Sequence, residues 1–191
     1  KEDKLANKPA IAVAYKMPDR NTPEYYAMGL IDMLLLQGQD SRLFQALVQE
    51  KGYTSSVNGG INYLGNMFDY NGPMVWMADM VYDAKTAPDS IVHEFDKAVA
   101  EISSNVSQED LKLALVKVRS QLYDVIAGQY GIGRINLLAC FALFDDDPTK
   151  INRIESEFSK VTPELIKKTA NEFLQPANRT ILIIDPKATT N

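Results

Sequence analysis

Few residues in this chain have types and spacings suited to chemistry, and most of the patterns they form stop short. The single histidine, His93, is followed by Glu94, as in a zinc-protease helix, but Lys97 stands where a second histidine on the same helical face would be needed. No G-x-S-x-G turn presents a serine to His93. Gly131-Ile132-Gly133 lacks the third glycine and the preceding strand of a dinucleotide loop, and it reads as a helix-start turn. Asp145, Asp146 and Asp147 lack the alternating oxygen-ligand spacing and distal Glu of a calcium loop, and they are expected to form a solvated acidic helix end before Pro148. Cys140 sits among Leu137, Leu138, Phe141 and Leu143, where a thiol behaves as a small buried hydrophobe.

One residue breaks a local rule. In Asp40-Ser41-Arg42-Leu43-Phe44, either Asp40 or Ser41 is placed to cap a helix, so Arg42 falls in its first turn. A cation there opposes the helix dipole by about 0.3 to 1 kcal/mol unless a nearby carboxylate, Asp40 for instance, compensates it. Rule-breaking residues are enriched at functional sites, and a guanidinium fork suits a peptide carbonyl or carboxylate.

The elements that would carry these residues follow from periodicity. Residues 9–17 (PAIAVAYKM) alternate as a strand, and Pro18 ends it. Thr22-Pro23-Glu24 supplies an N-cap, an N1 proline and an early acid for a helix running to about Leu36. The next helix is short, with Leu43, Phe44, Leu47 and Val48 on one face and Gly52 as its stop. Residues 54–64 and 67–81 read as two strands of an antiparallel hairpin, with Gly59-Gly60 and Gly65-Asn66 as bulge and turn sites. The aromatics Tyr25, Tyr26, Tyr63, Phe68, Tyr70 and Trp76 fall on these elements and are expected in the core or on the sheet. Helical spacing then recurs after Pro88, after the capping box begun by Ser107 and Asp110, across 132–144, and from Thr162-Pro163-Glu164 to about Leu174. Residues 179–185 (RTILIID) close the chain as a strand. Strands segregated from a run of helices predict an α+β fold, an antiparallel sheet with helices packed on one face, in a single domain over 1–191.

Composition narrows the partners. The 191 residues are 46% hydrophobic and 24% charged, values of an ordinary globular domain. A net charge of -5 with no dense Lys/Arg run argues against nucleic acid. No apolar run reaches the roughly 18 residues of a membrane span, and the longest, 27–36, is broken by Gly29 and Asp32. The chain opens on Lys, so it is expected to be a piece of something longer.

Ser41-Arg42-Leu43-Phe44-Gln45 through Glu50-Lys51-Gly52 and Ser56-Val57 resembles the S-R-L-F-x-x-L-x-x-x-x-G-x-x-x-S-V segment of the pitrilysin/insulinase zinc metallopeptidases, in their non-catalytic half. Val161-Thr162-Pro163-Glu164, Asn178-Arg179-Thr180, Asp185-Pro186-Lys187 and the opening strand with Pro18 and Tyr25-Tyr26-Ala27 match in order and spacing. The resemblance implies one half of a duplicated clam shell that closes on a peptide. The partner is then a catalytic H-x-x-E-H half, in the same polypeptide or a separate subunit, which holds the zinc and the general base. This chain lacks H-x-x-E-H and is expected to hold no metal or cofactor and to cleave nothing alone. Arg42 matches the family's substrate arginine, with the expected role of holding a substrate carbonyl or oxyanion. The family's tyrosine falls at Ser55, and the nearest tyrosine is Tyr53; on a strand these would share a face about 6 to 7 Å apart. A second reading is a proteolytically inactive relative serving as scaffold or interaction subunit, like respiratory-complex core proteins. The resemblance also favours a bacterial periplasmic or extracytoplasmic location.

Overall fold

A computed structural model describes residues 1–3, 5–63, 65–128 and 131–186. Leu64 and Lys187, both part of the patterns above, lie outside the described residues. Strands β1 (Glu2–Asp3), β2 (Ala10–Lys16), β3 (Asn58–Ile61), β4 (Val75–Val81) and β5 (Arg179–Pro186) form one sheet in the order β1-β5-β2-β4-β3. β2 is antiparallel to both β4 and β5, with Val13 opposite Ala78 on one side and Ile181 on the other. β3 is antiparallel to β4, whereas β1 runs parallel to β5, a pairing of the two chain ends that alternation alone does not signal.

The period-2 pattern sorts the sheet into two unlike faces. Ile11, Val13 and Tyr15 of β2 and Trp76, Ala78 and Met80 of β4 point into the core and are fully buried. Ala10, Ala12 and Ala14 share the opposite face with Val75, Met77, Asp79 and Val81, and none of these is buried. Helices therefore cover one face only, as the α+β expectation requires.

Helix α1 (Pro23–Leu35) is capped by the Thr22 hydroxyl, which accepts from the Tyr25 N–H at 3.2 Å. It is buried from Tyr25 through Leu35 because α2 (Pro88–Ser104), α3 (Gln108–Ala127), α5 (Ile154–Ser159) and α6 (Pro163–Phe173) all pack against it. α3 begins at the Ser107–Asp110 capping box, and α6 at Thr162, whose hydroxyl accepts from the Leu165 N–H. α4 (Ile132–Asp145) lies against α3. A 3₁₀ helix over Pro148–Arg153 and α5 fill a stretch that shows no clear periodicity in sequence.

Three expectations change. The hairpin is not tight: β3 has four residues and is joined to β4 by residues 62–74. Asn62 turns the chain out at φ 53°, and the Asn66 and Asp69 side chains accept the backbone N–H groups of Phe68 and Asn66, so local Asx bonding replaces a ladder. Gly59 and Gly60 pair in register with Ala78 and Met77 and form no bulge. Tyr63 and Tyr70 consequently lie on the connection and are exposed, unlike the buried Tyr25, Tyr26, Phe68 and Trp76.

Asp145 is the third. Its side chain is only 3% exposed, bonded to Arg20 at 2.8 Å, Lys150 at 3.2 Å and the Asn21 amide. The Arg20 guanidinium sits 5.5 Å from the centroids of both Phe141 and Phe144, so it ties the turn before α1 to the end of α4. Burial raises the Asp145 carboxyl, but the bonds from Arg20, Asn21 and Lys150 outweigh it and hold it below the ordinary range. Asp147 is likewise committed, accepting from the Thr149 N–H and pairing with Arg153.

Candidate substrate-binding segment and a buried carboxylate

Residues 40–57 form a compact unit. Arg42 and Leu43 begin the helix, and residues Phe44–Glu50 continue it as a π-helix, in which the Lys51 N–H reaches the Ala46 carbonyl five residues back. Leu43 and Leu47 anchor the turn, each with no exposed surface. Gly52, at φ 61°, ends it in the left-handed region, and the Tyr53 N–H returns to the Leu47 carbonyl at 2.9 Å. π-turns are uncommon and concentrate at functional sites.

The expected cap and the expected compensation are both different. Among the described residues the buried Ser41 hydroxyl has no hydrogen-bond partner, and the Asp40 carboxylate accepts from Lys117 at 2.7 Å rather than facing Arg42. Lys117 also donates to the carbonyls of Met33 and Gln37, so it satisfies the C-terminal end of α1. The Arg42 guanidinium instead donates to Asp110 at 3.1 Å, across 68 positions of sequence. Burial raises the Asp110 carboxyl, yet the Ser107 N–H and hydroxyl and the Arg42 charge together leave it below the ordinary range. The Arg42 side chain is 38% exposed, and a pair this accessible contributes about 0.2 to 1 kcal/mol.

Tyr53 and Ser55 are not brought to Arg42. Among the described residues no hydrogen bond or ion pair joins the three. Tyr53 is half-buried against the core, its carbonyl accepting from the Asp83 N–H, and Thr54 forms a lone bridge with Tyr82. Ser55 is exposed. Neither Tyr53 nor Ser55 lies on a strand, so the same-face spacing expected of them does not apply.

The donor set does not fit zinc. His93 is exposed on α2, Glu94 is held between Lys51 and Lys97, and among the described residues no three His, Cys, Asp or Glu side chains gather. Cys140 is buried beside Asp69, and burial together with that carboxylate pushes its thiol up, away from reactivity. No single helix among the described residues is long and apolar enough to cross a membrane.

A group the motifs did not single out is Asp32. It lies within α1, 5% exposed, its Oδ1 accepting from the Trp76 indole N–H at 2.7 Å and its Oδ2 from the Gln37 amide at 3.0 Å. Among the described residues no cation pairs with it. Burial pushes its carboxyl up to about 7, against the two hydrogen bonds. The sequence carried a signal for it: Asp32 is the one charge in the apolar run 27–36.

A family model described as the peptidase M16 inactive domain matches residues 1–117, well over half of the chain. The chain belongs to that family. No curated protein matches this M16 inactive domain, but solved structures do. A protease from Helicobacter pylori is 15% identical with a TM-score of 0.81; the alignment covers 97% of this chain and 43% of that one. The inactive peptidase domain of a protein described as a zinc protease, from Bordetella parapertussis, is 20% identical with a TM-score of 0.79, covering 98% of this chain and 97% of the other. A periplasmic protease from Escherichia coli is 14% identical with a TM-score of 0.71, covering 98% of this chain and 20% of that chain. At these identities the structures establish the shared fold. The M16 inactive domain thus spans less than half of the Helicobacter protein but nearly all of the Bordetella chain.

Proposed function

We infer that this chain is the substrate-binding, non-catalytic half of a zinc metallopeptidase, in which Arg42 holds a peptide carbonyl or the oxyanion formed at the scissile bond. Zinc and general base come from an H-x-x-E-H half, in the same polypeptide or a separate subunit. The observation that carries this reading is the state of Arg42. Its backbone is fixed by the buried Leu43 and Leu47, its guanidinium is aimed by Asp110, and more than a third of its side chain is open to a ligand. The Asp110 pair is weak enough that an oxyanion can compete for the free N–H groups without a large loss. The uncovered sheet face built on Ala10, Ala12, Ala14 and Val75 supports the reading further, since small side chains leave room for a peptide against a wall.

The test is turnover by the two halves together. Arg42→Ala is expected to lower kcat/KM by about a hundred- to a thousandfold, in the range of lost oxyanion donors, with zinc content unchanged. Undiminished turnover would remove Arg42 from the site. Zinc-dependent cleavage by these 191 residues alone would contradict the division of labour.

Ser55, where the family tyrosine falls, favours the second reading of an inactive scaffold or interaction subunit. Under it, Arg42→Ala costs only the surface pair and no partner half supplies H-x-x-E-H. A periplasmic location is part of the first reading, after the Escherichia protease.

A further inference from the structure

Behind α1 lies a cavity of about 210 Å³, bounded by α1, α3, the edge strand β3 and the turn over residues 65–68. Most of its wall is apolar: Met33, Leu122, Val125 and Phe158 face it from three helices. One end is polar, where the carboxylate of Asp32 lies beneath Gly60, 3.8 Å from the position a Cβ there would take. That carboxylate has a donor on each oxygen but, among the described residues, no cation, and a desolvated carboxylate retains acceptor capacity beyond two hydrogen bonds. Burial pushes this carboxyl up because the two hydrogen bonds do not fully stabilise its ionised form, and an ammonium seated beside it in the cavity supplies the missing stabilisation.

We propose that this cavity binds a small organic cation, a primary ammonium on a compact apolar body, with the ammonium donating to Asp32 and the body packed against Leu122, Val125 and Phe158. The volume suits that class. An engineered apolar cavity of about 150 Å³ accommodates benzene, so about 210 Å³ takes one ring with an aminomethyl arm. A transition metal does not fit, because among the described residues Asp32 is the one His, Cys, Asp or Glu side chain on the wall. The site involves none of Arg42, Tyr53 or Ser55, so it stands or falls independently of the peptidase reading.

The chain contains one tryptophan, and its indole N–H is bonded to Asp32, so a single indole resonance reports on the site. Titrated with benzylamine, that resonance is expected to shift saturably in the millimolar range or below, with benzyl alcohol binding at least about tenfold more weakly. Asp32→Asn is expected to remove that preference while leaving benzyl alcohol binding in place. Val125→Phe, which fills the wall from α3 and leaves the carboxylate alone, is expected to abolish binding of both; it keeps the test valid if the Asp32 variant does not fold. Benzylamine binding no tighter than benzyl alcohol, equal benzylamine affinity in Asp32→Asn, or unaltered binding in Val125→Phe would each overturn the proposal. A free amine and a peptide's amino terminus share this chemistry. Phe-Ala-Ala amide, with its amino terminus free or acetylated, separates them: binding of the free form points to a peptide terminus, and binding of benzylamine alone to a free amine.

Discussion

Asp32→Asn is expected to stabilise the domain progressively more, relative to the parent, as pH is raised from about 4 to about 8, by about 4 kcal/mol across that window. The sign follows from burial. In the unfolded chain Asp32 ionises near 3.8, whereas in the fold it holds its proton up to about 7. Between those values the native state binds a proton that the unfolded state has lost, so the contribution of Asp32 is fully present at low pH and disappears as pH rises through 7. Each pKa unit is worth about 1.36 kcal/mol, and the interval from 3.8 to about 7 gives about 4 kcal/mol. Asparagine keeps an acceptor for the Trp76 indole but cannot ionise. Other carboxylates act in the opposite direction: Asp110, Asp145 and Glu24 are held below their ordinary values and favour the fold as pH rises. They are common to both proteins, so the difference between two denaturant titrations, at pH 4.5 and 7.5, isolates Asp32. A pH-independent difference would mean that the carboxylate is solvated in the native state.

What could be read from sequence was whatever a few neighbouring residues decide. Thr22-Pro23-Glu24, Ser107 with Asp110, and Thr162 each mark a helix start because the capping bond spans three positions, and all three are found where expected. AIAVAYK is a strand because alternation needs only its own seven residues to separate Ile11, Val13 and Tyr15 from the alanines. The S-R-L-F segment and its spacing to Gly52 and Ser56 identified the family that residues 1–117 then establish. Distant pairing was not legible. Arg42 offers no hint that its partner is Asp110 rather than Asp40, because the choice depends on α3 arriving beside the segment and on Lys117 claiming Asp40 first. The parallel β1–β5 contact joins chain ends 182 positions apart through the amino terminus and the Ile183 carbonyl. The π-turn was equally silent, because Leu43, Phe44, Leu47 and Val48 suit an α-helix as well. The end of β3 was lost to side chains: Asn62, Asn66 and Asp69 satisfy the backbone locally, where β-propensity suggested a longer ladder.

The edge strand also sets up the second large effect, Gly59→Ala. Gly59 lies at φ 134°, outside the regions open to residues with a Cβ, and an added Cβ would stand 2.0 Å from the Met77 carbonyl oxygen and 2.9 Å from the Ala78 Cα. Both obstacles are backbone of β4, the strand to which β3 is bonded, so neither can rotate away. Backbone strain of about 1 to 3 kcal/mol and overpacking of a similar size combine to an expected loss of about 4 kcal/mol, a large fraction of a typical domain's 5–15 kcal/mol. Gly52→Ala separates the two contributions. Gly52 also has positive φ, at 61°, but among the described residues nothing beyond its chain neighbours lies within 4 Å of its added Cβ, so its substitution should cost about 1 kcal/mol through conformation alone. Urea midpoints of the two variants measure the contrast directly. If both lose stability equally, β3 shifts away from β4 to admit the methyl group, and the Gly59–Gly60 wall of the Asp32 cavity is compliant. If Gly59→Ala loses several times more, that wall is rigid, and the carboxylate behind it is held in place by the strand as well as by Trp76 and Gln37.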